Sequence, residues 1–129
     1  TGRLIAEHID FPRRGFQEDQ LYETGVALRQ AAWYLAALKD EFSNTILAMA
    51  AYNGGPIRIA QHVRKIGQVP FDVLVEEIGA HETRNYARKI VDHFVRYLVY
   101  YADAKTRNRL LRDLLPPRVI PRPKDKVLF

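Results

Sequence analysis

A chain of 129 residues that is 47% hydrophobic and 27% charged buries one modest core, with no room for a second domain. It has no cysteine, which excludes disulfides and thiolate metal sites, and its four histidines (His8, His62, His81, His93) lack metal-ligand spacing, so no metal and no cofactor is expected. The formal charge of +5 is uneven: residues 105–129 hold eight Lys/Arg against Asp113 and Asp125, which leaves residues 1–104 at −1.

In chain order, residues 1–7 read as the end of a helix, and residues 11–19, with Pro12, Gly15 and mixed charge, as a loop. From Gly25 to Phe42 the apolar Val26, Leu28, Trp33, Leu35, Leu38 and Phe42 recur at helical spacing. The alanines between them predict close contacts with neighbouring helices. Ser43 and Asn44 are candidate N-caps for a helix over 45–53, which Gly54 and Gly55 end. Pro56 suits the first turn of a helix running to Ile66 and stopped by Gly67, and residues 70–78 predict a short helix ending at Gly79.

Residues 82 to about 112 form the longest helical stretch, with Tyr86, Ile90, Phe94, Tyr97, Leu98 and Tyr101 on one stripe expected to face the core. Beyond Leu115, prolines at 116, 117, 121 and 123 forbid helix and favour an extended, polyproline-like tail, which its basic residues make either a solvated segment or a strap on an acidic face. No internal repeat and no alternating strand pattern is present, so the class is all-α. The longest apolar runs, such as residues 46–52, fall far short of the roughly 20 residues that span a bilayer, and no membrane span is expected.

Two short segments carry chemistry. Ala50-Ala51-Tyr52-Asn53-Gly54-Gly55-Pro56 places an aromatic ring and an amide at a helix end where the chain turns sharply. That pair suits a sugar, which offers an apolar ring face for stacking and hydroxyl or acetamido groups for hydrogen bonds. Read on spacing alone, the same segment is a helix stop followed by a helix start. About thirty residues on, Glu82-Thr83-Arg84-Asn85-Tyr86 puts Glu82 and Tyr86 four residues apart on one helix face, where a carboxylate is also favoured by the helix dipole.

The first segment resembles the A-x-A-Y-N-A-G-P signature, and the second the E-T-R-x-Y signature, of the lytic transglycosylases of the soluble (SLT) type. The helix with Trp33-Tyr34-Leu35 is similar to that family's G-x-x-Y-L-x-x-L segment, through Tyr34, Leu35 and Leu38, with Ala31 in place of glycine. Its residues are expected in the core. The resemblance covers residues 1 to about 102. It implies a goose-lysozyme-like, all-α domain over 1–104, followed by a helix end and basic proline-rich tail over 105–129. It further implies that Tyr52, Asn53 and Glu82 line a saccharide groove and that the Tyr86 hydroxyl holds the catalytic carboxyl in place. These four side chains are therefore expected on one concave face.

One element of the family is absent from the sequence. Its catalytic glutamate, in a Glu-Ser pair before a G-L-M-Q segment, has no match in the chain. Thr1-Gly2 and Ile5-Ala6 match the end of the family's P-x-T-A-x-x-x-A stretch, which implies that the N-terminal catalytic helices belong just upstream of Thr1. In the family that single glutamic acid protonates the glycosidic oxygen between N-acetylmuramic acid and N-acetylglucosamine. It then takes the proton of the muramoyl C6 hydroxyl, which closes a 1,6-anhydro ring. The usual glycosidase has two carboxylates.

Glu7, Glu18 and Glu23 are the other carboxylates weighed for the role; none precedes serine, and they read as surface charges. The resemblance implies peptidoglycan glycan strands and the missing segment of the same domain as partners, an envelope protein as a partner of the tail, and a periplasmic or cell-envelope location in bacteria. The alternative is a non-catalytic peptidoglycan-binding or scaffolding module that keeps the groove. A third reading, a helical nucleic-acid binder using the tail, predicts steeply salt-dependent binding; the near-neutral first 104 residues oppose it, and no nucleic-acid partner is expected.

Overall fold

The computed structural model describes residues 1–12 and 15–116. The expected extended tail falls on residues 117–129 and lies outside them. Among the described residues there are seven α-helices, one 3-10 turn and no strand: α1 (Gly2–Ile9), the turn Glu18–Tyr22, α2 (Thr24–Phe42), α3 (Thr45–Gly54), α4 (Pro56–Ile66), α5 (Phe71–Glu76), α6 (His81–Tyr101) and α7 (Ala104–Leu114). The all-α class is as the sequence reads.

The short α3 is the hub. Ile46, Leu47, Ala48, Ala50 and Ala51 are all buried, so the helix is apolar on nearly every side, which is the pattern of a helix surrounded by others. It packs against α2, α4 and α6 and touches α7. Leu47 of α3 and, from other helices of the core, Phe42, Leu38, Ile59 and Leu74 are fully buried. Each such side chain contributes roughly 1.5–3 kcal/mol relative to exposure. Asn44 starts α3: its Oδ1 accepts from the Ile46 and Leu47 amides at 2.8 and 3.0 Å, filling two of the donors that a helix start leaves unpaired.

On α2 the buried residues are Val26, Gln30, Tyr34, Leu38, Glu41 and Phe42, a stripe advancing mainly by four residues. It differs from the expected apolar set in two ways. Leu28 is 66% exposed while a glutamine, Gln30, takes a buried place. The α2 alanines are half-buried or exposed. On α3 the alanines Ala48, Ala50 and Ala51 are buried where α2, α4 and α6 pack on that helix.

The long helix expected over 82–112 is two helices. Ala102 adopts an extended backbone (φ −94°, ψ 142°), and Asp103 caps α7 by accepting from the Thr106 amide at 3.0 Å. The Thr106 hydroxyl donates to the same carboxylate at 2.7 Å. A side chain that serves a new helix start competes with continuing the old one. The tyrosine stripe is also corrected. Leu98 is buried, but Tyr97 and Tyr101 are 65% and 81% exposed and stack on each other 5.7 Å apart.

Candidate functional site

Two helix ends build the site. α3 stops at Gly54, and Gly55 (φ 88°, ψ 134°) takes a backbone conformation that L side chains rarely adopt, so the chain turns within one residue into Pro56 and α4. The turn leaves Tyr52 and Asn53 exposed on the last turn of α3. Both line an open cavity of about 770 Å³. Its wall continues through Gly55, Pro56 and Ile57, the α2 residues Ala27, Leu28, Gln30, Ala31 and Tyr34, then Leu21, and Thr1, Gly2 and Ile5 at the start of α1. The lining is chiefly apolar with a few polar groups among it, the composition of small-molecule sites.

Tyr34 and Tyr52 meet on this wall, their ring centroids 5.8 Å apart at an angle of 48°. Burial pushes the Tyr34 phenol above its ordinary value, and the charge of Tyr52 adds to the rise. Tyr34 was expected only as core. It is buried, as expected, and it also faces the cavity; one turn earlier on the same face lies Gln30, which no motif singles out.

The second motif sits at the start of α6. Thr83 is buried against Gly54: a Cβ built on that glycine lies 2.6 Å from Thr83 Oγ1, so only glycine lets the two helix ends meet at this spacing. Arg84 donates from Nη1 to the carbonyls of Glu76 and Ile78, at 3.2 and 3.0 Å, fixing the α5–α6 connection. Thr83 and Arg84 therefore act in the fold itself. Tyr86 is half-buried; burial raises its phenol above the usual value, and Tyr52 contributes a further rise. That coupling places Tyr86 in electrostatic range of Tyr52. Glu82 is exposed on the first turn of α6, and neither Glu82 nor Tyr86 belongs to the cavity wall. Tyr52 and Asn53 thus share the cavity, Tyr86 adjoins it through Tyr52, and Glu82 stands outside.

Among the described residues no Asp or Glu lines the cavity. Glu7, Glu18 and Glu23 are exposed. No group of His, Cys, Asp and Glu among the described residues is arranged to hold a metal ion. No helix among them is long and apolar enough to cross a membrane.

The model of the transglycosylase SLT domain matches residues 6–74, over half of the chain, from α1 through α5, and so takes in the cavity-lining Tyr34, Tyr52 and Asn53. The chain belongs to the transglycosylase SLT domain family. Neither the curated proteins nor the solved structures contain a match to it. An SLT domain is lysozyme-like and all-α, in agreement with the helices described above, and its function is related to peptidoglycan transglycosylation. Glu82 and Tyr86 lie beyond the matched segment.

Proposed function

We propose that this chain forms the glycan-holding part of a peptidoglycan lytic transglycosylase site. The reaction cuts the β-1,4 bond between N-acetylmuramic acid and N-acetylglucosamine and closes a 1,6-anhydro ring. The observation that carries the reading is the opening of Tyr52 and Asn53, within the family-matched segment, onto a mostly apolar cavity. A ring that stacks on a sugar face beside an amide that bonds its substituents is the pair of chemistries a saccharide requires.

In this reading the proton donor is a glutamic acid that the chain does not itself hold, since no Glu-Ser pair with a G-L-M-Q segment occurs in it and no described carboxylate lines the cavity. Tyr86 positions that acid. A phenol whose pKa is raised stays protonated and can donate to a carboxyl group throughout the neutral range. Glu82, exposed at the start of α6 and outside the cavity wall, meets the glycan strand only where the strand runs beyond the cavity. Such an acid needs an elevated pKa, which the apolar wall favours by desolvation. The domain works in the bacterial cell envelope, with glycan strands as substrate.

Co-sedimentation with purified peptidoglycan sacculi tests the reading. The chain is expected to pellet with sacculi, and Tyr52→Ala and Asn53→Ala each to weaken that association; binding unchanged in both variants defeats it. That no carboxylate among the described residues lines the cavity is also consistent with a second reading, a peptidoglycan-binding or scaffolding module without catalysis. Adding the catalytic segment and assaying for anhydromuropeptides separates the two.

A further inference from the structure

Gln30 occupies an anomalous place. It is 2% exposed on the cavity side of α2, and neither its amide nitrogen nor its amide oxygen has a hydrogen-bond partner among the described residues. Buried carboxamides are ordinarily paired, because stripping water from the group without replacing its bonds is unfavourable. The wall it belongs to is chiefly apolar, with Ile5, Ala27, Leu28 and Ala31 in the same lining, and Tyr34 lies one turn further along the same helix face. The amide oxygen lies against Gly2, beside Leu21 and Phe16: a Cβ on that glycine would stand 3.5 Å from Gln30 Oε1, 3.4 Å from Leu21 and 3.1 Å from Phe16.

An unpartnered donor and acceptor set in an apolar wall describe their ligand by complement. The ligand presents an acceptor and a donor close together, next to an apolar group. We propose that Gln30 is a specificity-determining residue that recognises the acetamido group of an N-acetylated sugar in this cavity, an inference that rests on the saccharide reading above. Nε2 donates to the acetamido carbonyl, Oε1 accepts from a neighbouring sugar hydroxyl, and the acetyl methyl lies against the alanines and Leu28. The side chain has three rotatable bonds, so it turns toward the cavity without a shift of α2. A de-N-acetylated sugar carries an ammonium group at this position, which has no acetyl methyl for the wall and loses its hydration there.

The test uses the 129-residue chain with two probes, fully N-acetylated chitotetraose and its fully de-N-acetylated counterpart, in titration calorimetry beside thermal melts. The wild type is expected to prefer the N-acetylated tetramer. Gln30→Met, close to isosteric, and Gln30→Leu are expected to bind that tetramer on the order of tenfold more weakly, the size of one or two lost hydrogen bonds. Both variants are expected to melt higher than the wild type, because an apolar side chain replaces an unpaired buried amide. A merely structural glutamine gives the opposite melt. Lower melting in both variants overturns the proposal, since the amide is then paired inside the protein. So does equal wild-type affinity for the two tetramers, or unchanged affinity in both variants. A wild type that binds neither tetramer defeats the underlying saccharide reading together with this inference.

Discussion

Gly54 and Thr83 stand where the end of α3 meets the start of α6, so close that a methyl group on Gly54 falls 2.6 Å from the threonine hydroxyl oxygen and 2.8 Å from its γ-methyl. This contact joins the two sequence motifs. Through it the turn bearing Tyr52 and Asn53 lies near Tyr86, although 33 residues separate Asn53 from Tyr86.

Substituting Gly54 therefore forces the helices apart. Gly54→Ala is expected to lower stability by about 1 kcal/mol through overpacking, even though alanine is the better helix former. In the Thr83→Ala background, which removes the two closer atoms and leaves only Cβ at 3.2 Å, the same substitution is expected to cost less. Urea denaturation of the four proteins of this cycle measures the coupling, and additive costs contradict the contact.

The cap on α3 supports the hub helix of the core. Asn44→Ala removes an acceptor held 2.8 Å from the Ile46 amide and 3.0 Å from the Leu47 amide, at a residue only 2% exposed. A loss of about 1–2 kcal/mol is expected, at the upper end for N-caps because the freed amides are buried. Asn44→Asp is expected to retain most of the cap.

The phenols of Tyr34 and Tyr86 titrate above the ordinary tyrosine value, chiefly because burial disfavours the charged form and secondarily because of Tyr52. A raised folded-state pKa contributes stability that is fully present below the unfolded value and is lost as pH rises through the folded one. Stability is thus expected to fall above pH of about 10. Tyr52→Phe is expected to move both phenols part of the way back, leaving the larger burial effect. Ultraviolet titration of the phenolate band in the single variants reads each shift.

At the other end of the scale, Asp103 is held below the usual carboxylate range by its bonds to the Thr106 amide and hydroxyl. A depressed folded-state pKa gives a contribution present above the unfolded value and lost as pH falls through the folded one. The start of α7 is expected to fray below pH of about 4. Hydrogen exchange at the Thr106 amide is the readout, and Asp103→Asn, an uncharged cap, is expected to remove the pH dependence.

Activity gives the most direct prediction. With no carboxylate lining the cavity among the described residues, the 129-residue chain is expected to release no anhydromuropeptides from sacculi. Supplying the family's catalytic segment is expected to start release, and Tyr86→Phe then to slow it by less than the roughly 10²–10⁴-fold that a general acid contributes. Turnover by the chain alone shows that one of its own carboxylates is the acid, with Glu82→Gln the first variant to make.

The all-α class, most helix limits and the family are readable from the amino-acid order alone, because these rest on local rules: the 3.6-residue period, Asn44 before a helix, Gly55-Pro56 between two, and the order of short motifs. Tyr52 and Asn53 were legible because a motif at a helix end has few places to go. Tertiary structure decided what periodicity is blind to, namely which of several similar faces meets a partner. It exposed Leu28, Tyr97 and Tyr101, buried Gln30, and ended α6 at Tyr101 where Asp103 supplied a competing cap. It also placed Tyr34 on the cavity and Glu82 outside its wall. Burial is a property of the whole assembly of helices, so a glutamine beside a cavity looks, in sequence, like any polar residue on a solvated face.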